Sequence, residues 1–255
     1  MTASPFDYRM IDMKTLASTA SEPLNLTRDP RTLLASRRHT LYFFGICVVL
    51  SVVSAVIGSH GSKSAYAPSQ ADLIKGYLFM IAIECLWVLF VYAGMQNQGH
   101  SLAEIFGRRW LEPGQLVQDV AYAALTFGVI FLLDRGTSSL LRHAGQVTID
   151  GILPSTPLAK TLCVGLSMAA GVGEEIVFRG YLQRQLKALT GSTVIAILGQ
   201  AVLFALGHGY EGPGIVLDIF LEAIVWGALA AWRGNIRSGI LVHVAWDVLA
   251  GFGII

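Results

Sequence analysis

Glu174 and Glu175 stand side by side in the run Glu174-Glu175-Ile176-Val177-Phe178-Arg179. On a helix Glu175 and Arg179 share a face at i and i+4, acid before base, the better order for an ion pair. Glu174 then points about a fifth to a third of a turn away. Pairing with Arg179 holds Glu175 ionised and leaves Glu174 free to act as a base. The blander alternative is a salt-bridge cluster where a helix leaves a membrane.

His208 closes the apolar run Phe204-Ala205-Leu206-Gly207-His208. Glu174 and His208 lie equally far from Gly191, in the turn Thr190-Gly191-Ser192. In a helical hairpin about that turn both side chains reach the same depth, roughly 25 Å from the turn. A carboxylate and an imidazole at one depth can share a water. The last segment adds His243 and Asp247 on one helical face at i and i+4. Its alternative is a His–Asp pair that neutralises itself inside a bundle. Together these residues supply the parts for amide hydrolysis: a base on water, donors for an oxyanion and a group that tunes the base. Glu174 assisted by His208 can deprotonate water, and His243 with Asp247 can stand at the oxyanion.

The elements that must position them are set by composition. Of 255 residues, 54% are hydrophobic and 14% charged, against about a quarter charged in soluble domains, so the solvent for most of the chain is lipid. Net charge is +1 with no basic block interleaved with aromatics, which sets aside nucleic acid and a polybasic lipid patch. Cys47, Cys85 and Cys163 each sit in an apolar stretch without metal or redox spacing.

Apolar segments long enough to cross a bilayer can be drawn at Thr40–Gly58, Gly76–Met95, Leu116–Leu133, Pro157–Leu189, Thr193–His208, Gly214–Trp232 and Ser238–Ile255. The expected fold is all-α, a polytopic transmembrane helical bundle of about seven spans. It divides into a polar N-terminal tail over 1–39, N-terminal membrane spans over 40–150 and a chemistry-bearing membrane region over 151–255. The polar start predicts no cleavable leader. The arginines before Thr40, with Arg108, Arg109, Arg184, Lys187, Arg233 and Arg237, fall on one side, which reads as cytoplasmic with the N-terminus. Lys63, Lys75, Arg135, Arg142 and Lys160 fall opposite. This count puts His208 near the outer end of its span and His243 near the inner end of the last. Either the hairpin about Gly191 projects into the cytoplasm or the topology differs.

Other hydrolase types leave different marks. No His-Glu dipeptide occurs, which excludes an H-E-x-x-H zinc site. Gly165-Leu166-Ser167-Met168 puts a bulky Met where a serine nucleophile needs close backbone approach. Gly171-Val172-Gly173-Glu174 resembles an aspartyl-protease loop only superficially. The order E-E-x-x-x-R at Glu174, Glu175 and Arg179, F-x-x-x-H at Phe204 and His208, and H-x-x-x-D at His243 and Asp247 resembles the CPBP family, the type II CAAX prenyl protease and bacteriocin-processing (Abi) group.

The resemblance implies an intramembrane endopeptidase of glutamate type, in a family often labelled metalloendopeptidase. Glu174 would be the base on water, His208 its partner, and His243 with Asp247 would lie near the oxyanion, with Glu175, Arg179 and Phe204 in support. Eukaryotic relatives carry Asn where this chain has Asp247. An ionised aspartate accepts but cannot donate, so Asp247 is read as orienting His243. No cofactor is required in this reading. The alternative is zinc on Glu174, His208, His243 and Asp247, an O/N set that it accepts. The expected partners are membrane lipids and a peptide or protein substrate, lipidated or membrane-bound; the expected place is the inner membrane of a bacterial-type cell. Competing readings are a non-catalytic membrane scaffold or immunity protein, and an ion- or proton-coupled transporter, which the lack of internal repeats disfavours.

Glu84, Asp119, Asp134, Asp218 and Glu222 are further intramembrane acids, read first as hydrated helix ends or helix–helix hydrogen-bonding groups. The Gly209–Gly214 run breaks the helix after His208 and suits a hydrated cavity beside the site.

Overall fold

Apolar segments in lipid must satisfy their backbone hydrogen bonds internally, which a helix does within itself. In the computed structural model the described residues, 32–60, 68–107, 112–141 and 153–255, are accordingly helical and contain no strand. They belong to one unit, Arg31–Ile255. The tail residues 1–31, with Arg9, Lys14, Arg28 and Arg31, and also Lys63, Arg108, Arg109 and Arg142, lie outside the described residues.

The helices are α1 (Arg37–His60), α2 (Gln70–Gln96), the short α3 (Ala103–Phe106), α4 (Pro113–Leu141) and α5 (Pro157–Glu174). A π-helical segment, Glu175–Leu182, joins α5 to α6 (Gln183–Thr190). α7 (Thr193–Gly207), a 3₁₀ turn (Gly209–Glu211), α8 (Pro213–Arg233) and α9 (Arg237–Gly251) follow. Several ends are written locally. Ser69 and Asp72 form a capping box on α2, and Thr156 caps α5 ahead of Pro157. Gly191 ends α6 at φ 71°, where a side chain would be strained, and Ser192 then caps α7.

Among the described residues, five stretches are long and apolar enough to cross a membrane: Arg37–Val56, Gln70–Gln96, Pro113–Thr137, Pro157–Thr190 and Pro213–Arg233. Large apolar side chains on α1, α2 and α4, among them Leu41, Val52, Phe79, Leu89, Leu125 and Leu132, face outward, as in a multi-pass membrane protein whose outer solvent is lipid. Two of the seven expected segments fall outside these five. α7 and α9 have 15 residues each, about 22 Å against a hydrocarbon core of about 30 Å. By contrast, Pro157–Thr190 runs 34 residues, about 50 Å, longer than that apolar layer, and closes on the Gly191 end. Gln183, Arg184, Gln185, Lys187 and Thr190 give that end its polar character.

α5 is the central element, packed on α2 on one side and α9 on another. α4 packs on α8 and α9, while α7 packs on α1, α6 and α8. Gly171 makes the α5–α9 approach possible: a Cβ there would lie 2.8 Å from the Val244 backbone nitrogen. Small residues let membrane helices meet this closely.

The segment before α1 is tied down by one buried amide. Gln185 accepts from the Leu34 N–H at 2.7 Å and donates to the Ala35 carbonyl at 3.0 Å and Thr40 Oγ1 at 2.7 Å. Gln185→Leu strands those groups and is expected to lower stability by about 1 to 3 kcal/mol. Thermal unfolding in detergent, with hydrogen exchange at the Leu34 amide, measures it; an unchanged melt together with an unchanged exchange rate would count against the strap.

Candidate active site

The motif residues come from α5 and its π-helical continuation, α7 and α9. A π turn carries an extra residue per turn and is frequent at functional sites. Here it widens the helix where Glu175, Ile176, Val177, Arg179, Gly180, Tyr181 and Leu182 are all buried. The sequence pattern alone implies ordinary α-helix over this stretch. Its i, i+4 pair nonetheless forms, with Arg179 Nη1 3.2 Å from Glu175 Oε1 and both side chains fully buried. The guanidinium lies over the rings of Phe204 at 4.3 Å and Trp226 at 5.1 Å. Those π faces stabilise a cation removed from water.

Glu175 also reaches α9. His243 Nδ1–H donates to Glu175 Oε1 at 3.3 Å, because a carboxylate oxygen only accepts. The opposite ring nitrogen, Nε2, lies 3.4 Å from Glu174 Oε2 and 3.8 Å from Asp247 Oδ2. His243 is thus ringed by three carboxylates and stacked on Trp226 at 4.6 Å. Exposure separates the adjacent glutamates: the Glu175 side chain is fully sealed, whereas Glu174 and Asp247 are 17% and 28% exposed. Only the latter two carboxylates can meet water.

His208 caps α7, and its Nδ1 lies 3.0 Å from the Phe204 carbonyl. A carbonyl accepts, so Nδ1 carries the proton and Nε2 is the acceptor of the neutral ring. The hairpin about Gly191 brings Glu174 and His208 to one cavity, yet no hydrogen bond or ion pair joins them. The imidazole in contact with Glu174 is His243. This cavity of about 560 Å³ is lined by Glu84, Glu174, His208, Glu222, His243 and Asp247 among others, within the range of about 300 to 1,000 Å³ usual for ligand sites. Tyr210, Glu211 and Gly212, from the turn after His208, also line it.

Two contributors were missed in the sequence. Gly239 precedes His243 by one turn on the same face, and a Cβ there would lie 2.5 Å from Glu175 Oε2. Its spacing, G-x-x-x-H-x-x-x-D, was available as a signal. Trp226, which backs the His243 ring, had none. Asp119, read as a hydrated helix end or a helix–helix group, is fully buried between Arg233 and Arg237, both at 2.9 Å. Glu84 is buried as well, with its Oε2 3.1 Å from where a Gly173 Cβ would stand. Ser167 lines the cavity but donates to the Cys163 carbonyl of its own helix at 3.0 Å.

Zinc needs several donors converging at about 2.0 to 2.3 Å from one point. Among the described residues no three His, Cys, Asp or Glu side chains are grouped to hold a metal ion. The set Glu174, His208, His243 and Asp247 therefore does not form a ready cage in this geometry.

Residues 156–249 match the family model described as Type II CAAX prenyl endopeptidase Rce1-like. The match starts at the cap of α5 and ends within α9, so it spans every residue of the Glu174, His208 and His243 motifs. No curated protein and no solved structure matches the chain.

Proposed function

We propose that this chain, whose residues 156–249 match the type II CAAX prenyl endopeptidase Rce1-like model, is an intramembrane endopeptidase that hydrolyses its substrate with a water activated by Glu174. The observation that carries this reading is the unequal burial of the glutamate pair, with Glu175 sealed against Arg179 and Glu174 open to the cavity. Glu174 takes a proton from water as hydroxide attacks the scissile carbonyl, and later delivers that proton to the leaving amine. His208, with Nδ1 tied to Phe204, offers Nε2 as acceptor to the same water. The His243 ring, held through Nδ1 by Glu175, donates from Nε2 in its imidazolium form to the oxyanion. Asp247 faces that nitrogen and orients it. The substrate class is a lipidated or otherwise membrane-bound polypeptide, and no resident metal is required.

For orientation, we place the N-terminus and the Gly191 end on the cytoplasmic side of a bacterial-type inner membrane. Arg184 donates to the Gly234 carbonyl, and Arg233 and Arg237 share Asp119. Three arginines thus gather at one end of the bundle, as the positive-inside tendency favours.

Comparative peptide profiling of membranes expressing the wild type and Glu174→Ala tests the activity and names substrates together. Products that persist in the variant would remove Glu174 as base. Restoration of a null phenotype by the variant would point to a binding scaffold. A separate expectation concerns Asp247. Asn keeps its shape and can hydrogen-bond, so Asp247→Asn should retain activity within about tenfold, whereas Asp247→Leu should lose roughly 10² in kcat, the size of one oriented-donor effect. Equal losses in both variants would show that the charge itself is needed.

A further inference from the structure

Beyond the Glu174–His243 pair the cavity continues along one face of α8. Asp218, Glu222 and Trp226 follow one another there at i, i+4 and i+8, and all three line it. Trp226 stacks on His243, so helix rise puts Glu222 about 6 Å and Asp218 about 12 Å from that level. Asp134 and Thr137 of α4 line the same stretch, and Thr137 Oγ1 donates to Asp218 Oδ1. Glu211 lines the cavity from the turn before α8. No Lys or Arg lines the cavity among the described residues.

Glu222 is what turns this acidic wall into a site. It is 5% exposed, its side chain borders the cavity, and no hydrogen bond or ion pair to it forms among the described residues. A buried carboxylate without a partner is costly, and an intramembrane acid facing a cavity marks a place where a ligand or ion passes or binds. The cavity is the side from which a partner can reach it. A cation on the substrate fits the charge, the burial and the alignment with the reacting centre.

We propose that the Glu222 and Asp218 face of α8, with Asp134 opposite, is a subsite for a basic side chain of the polypeptide substrate, Lys or Arg. This rests on the peptidase reading and narrows its substrate class. An extended chain advances about 3.3 Å per residue, so the 6 to 12 Å offset puts the basic residue about two to four positions from the scissile bond.

The test uses the full chain purified in detergent and fluorescent apolar peptides in which Lys or its uncharged isostere norleucine is scanned through successive positions. Anisotropy reads binding, and mass spectrometry reads cleavage. At one register Lys is expected to bind roughly tenfold tighter than norleucine. Glu222→Gln should bring that ratio to about one, and Asp218→Asn should lower it in part. Equal binding of the two series by the wild type, or a ratio unchanged in both variants, overturns the subsite. Glu222-dependent binding of Mn²⁺ alone, with no preference for Lys peptides, also overturns it in favour of a metal-ion site. Charge-dependent binding without cleavage would leave the subsite standing and remove the peptidase reading. Cleavage without charge preference would do the reverse.

Discussion

Glu174→Gln is expected to reduce kcat/KM by about 10² to 10⁴-fold, the range for removing a general base, while the melting temperature stays near that of the wild type. Gln has the size and shape of Glu, so the packing where α5 passes into the π-helical segment is kept. What is lost is the capacity to take a proton from water. The Glu174 side chain is 17% exposed and its one ion-pair contact is with His243 at 3.4 Å, so neutralising it breaks no sealed ion pair. The measurement is turnover of a substrate from the profiling experiment, alongside a thermal melt of each variant. Wild-type turnover in Glu174→Gln would sink the assignment of the base. A loss explained by unfolding would show in the melt.

Arg179→Met is expected to destabilise the protein by about 3 to 5 kcal/mol, because it leaves the sealed Glu175 carboxylate without its cation. The guanidinium also fills the space between Phe204 and Trp226, so a smaller residue such as Ala would add a cavity to the electrostatic loss. Adding Glu175→Gln to Arg179→Met removes the stranded charge and should recover most of the stability, since buried pairs replaced together cost much less than one partner removed. Activity should not recover in step. Glu175 Oε1 also takes the His243 Nδ1 proton, and a neutral amide holds that ring less firmly. A melt that fails to recover in the double variant would mean that the ion pair is not what Arg179 contributes.

The Glu175–Arg179 pair was legible because i and i+4 spacing survives the change from α to π geometry at this point. The hairpin about Gly191 was legible because a left-handed glycine followed by a capping serine is a local signal. The five long apolar helices among the described residues were legible as well, since the length and apolarity of a run are read directly from composition. Span bounds were legible to within a residue at α7, which ends at Gly207 beside the Gly209–Glu211 turn, and less closely at α9, which ends at Gly251 and not at Ile255.

The site divides in the same way. From the sequence alone came the all-α membrane architecture, the order of the three motifs and the candidate set Glu174, His208, His243 and Asp247. Those features follow from spacing along single helices and from the free energy of placing ionisable groups in an apolar medium. Only the tertiary structure decided that Glu174 meets His243 rather than His208 and that Gly239 lets Glu175 lie against α9. It alone also backed His243 with Trp226 and left Glu222 on the cavity wall with no hydrogen-bond or ion-pair partner among the described residues. These are contacts between helices remote in sequence, fixed by how closely small residues such as Gly171 let backbones approach. No periodicity within one helix encodes that approach.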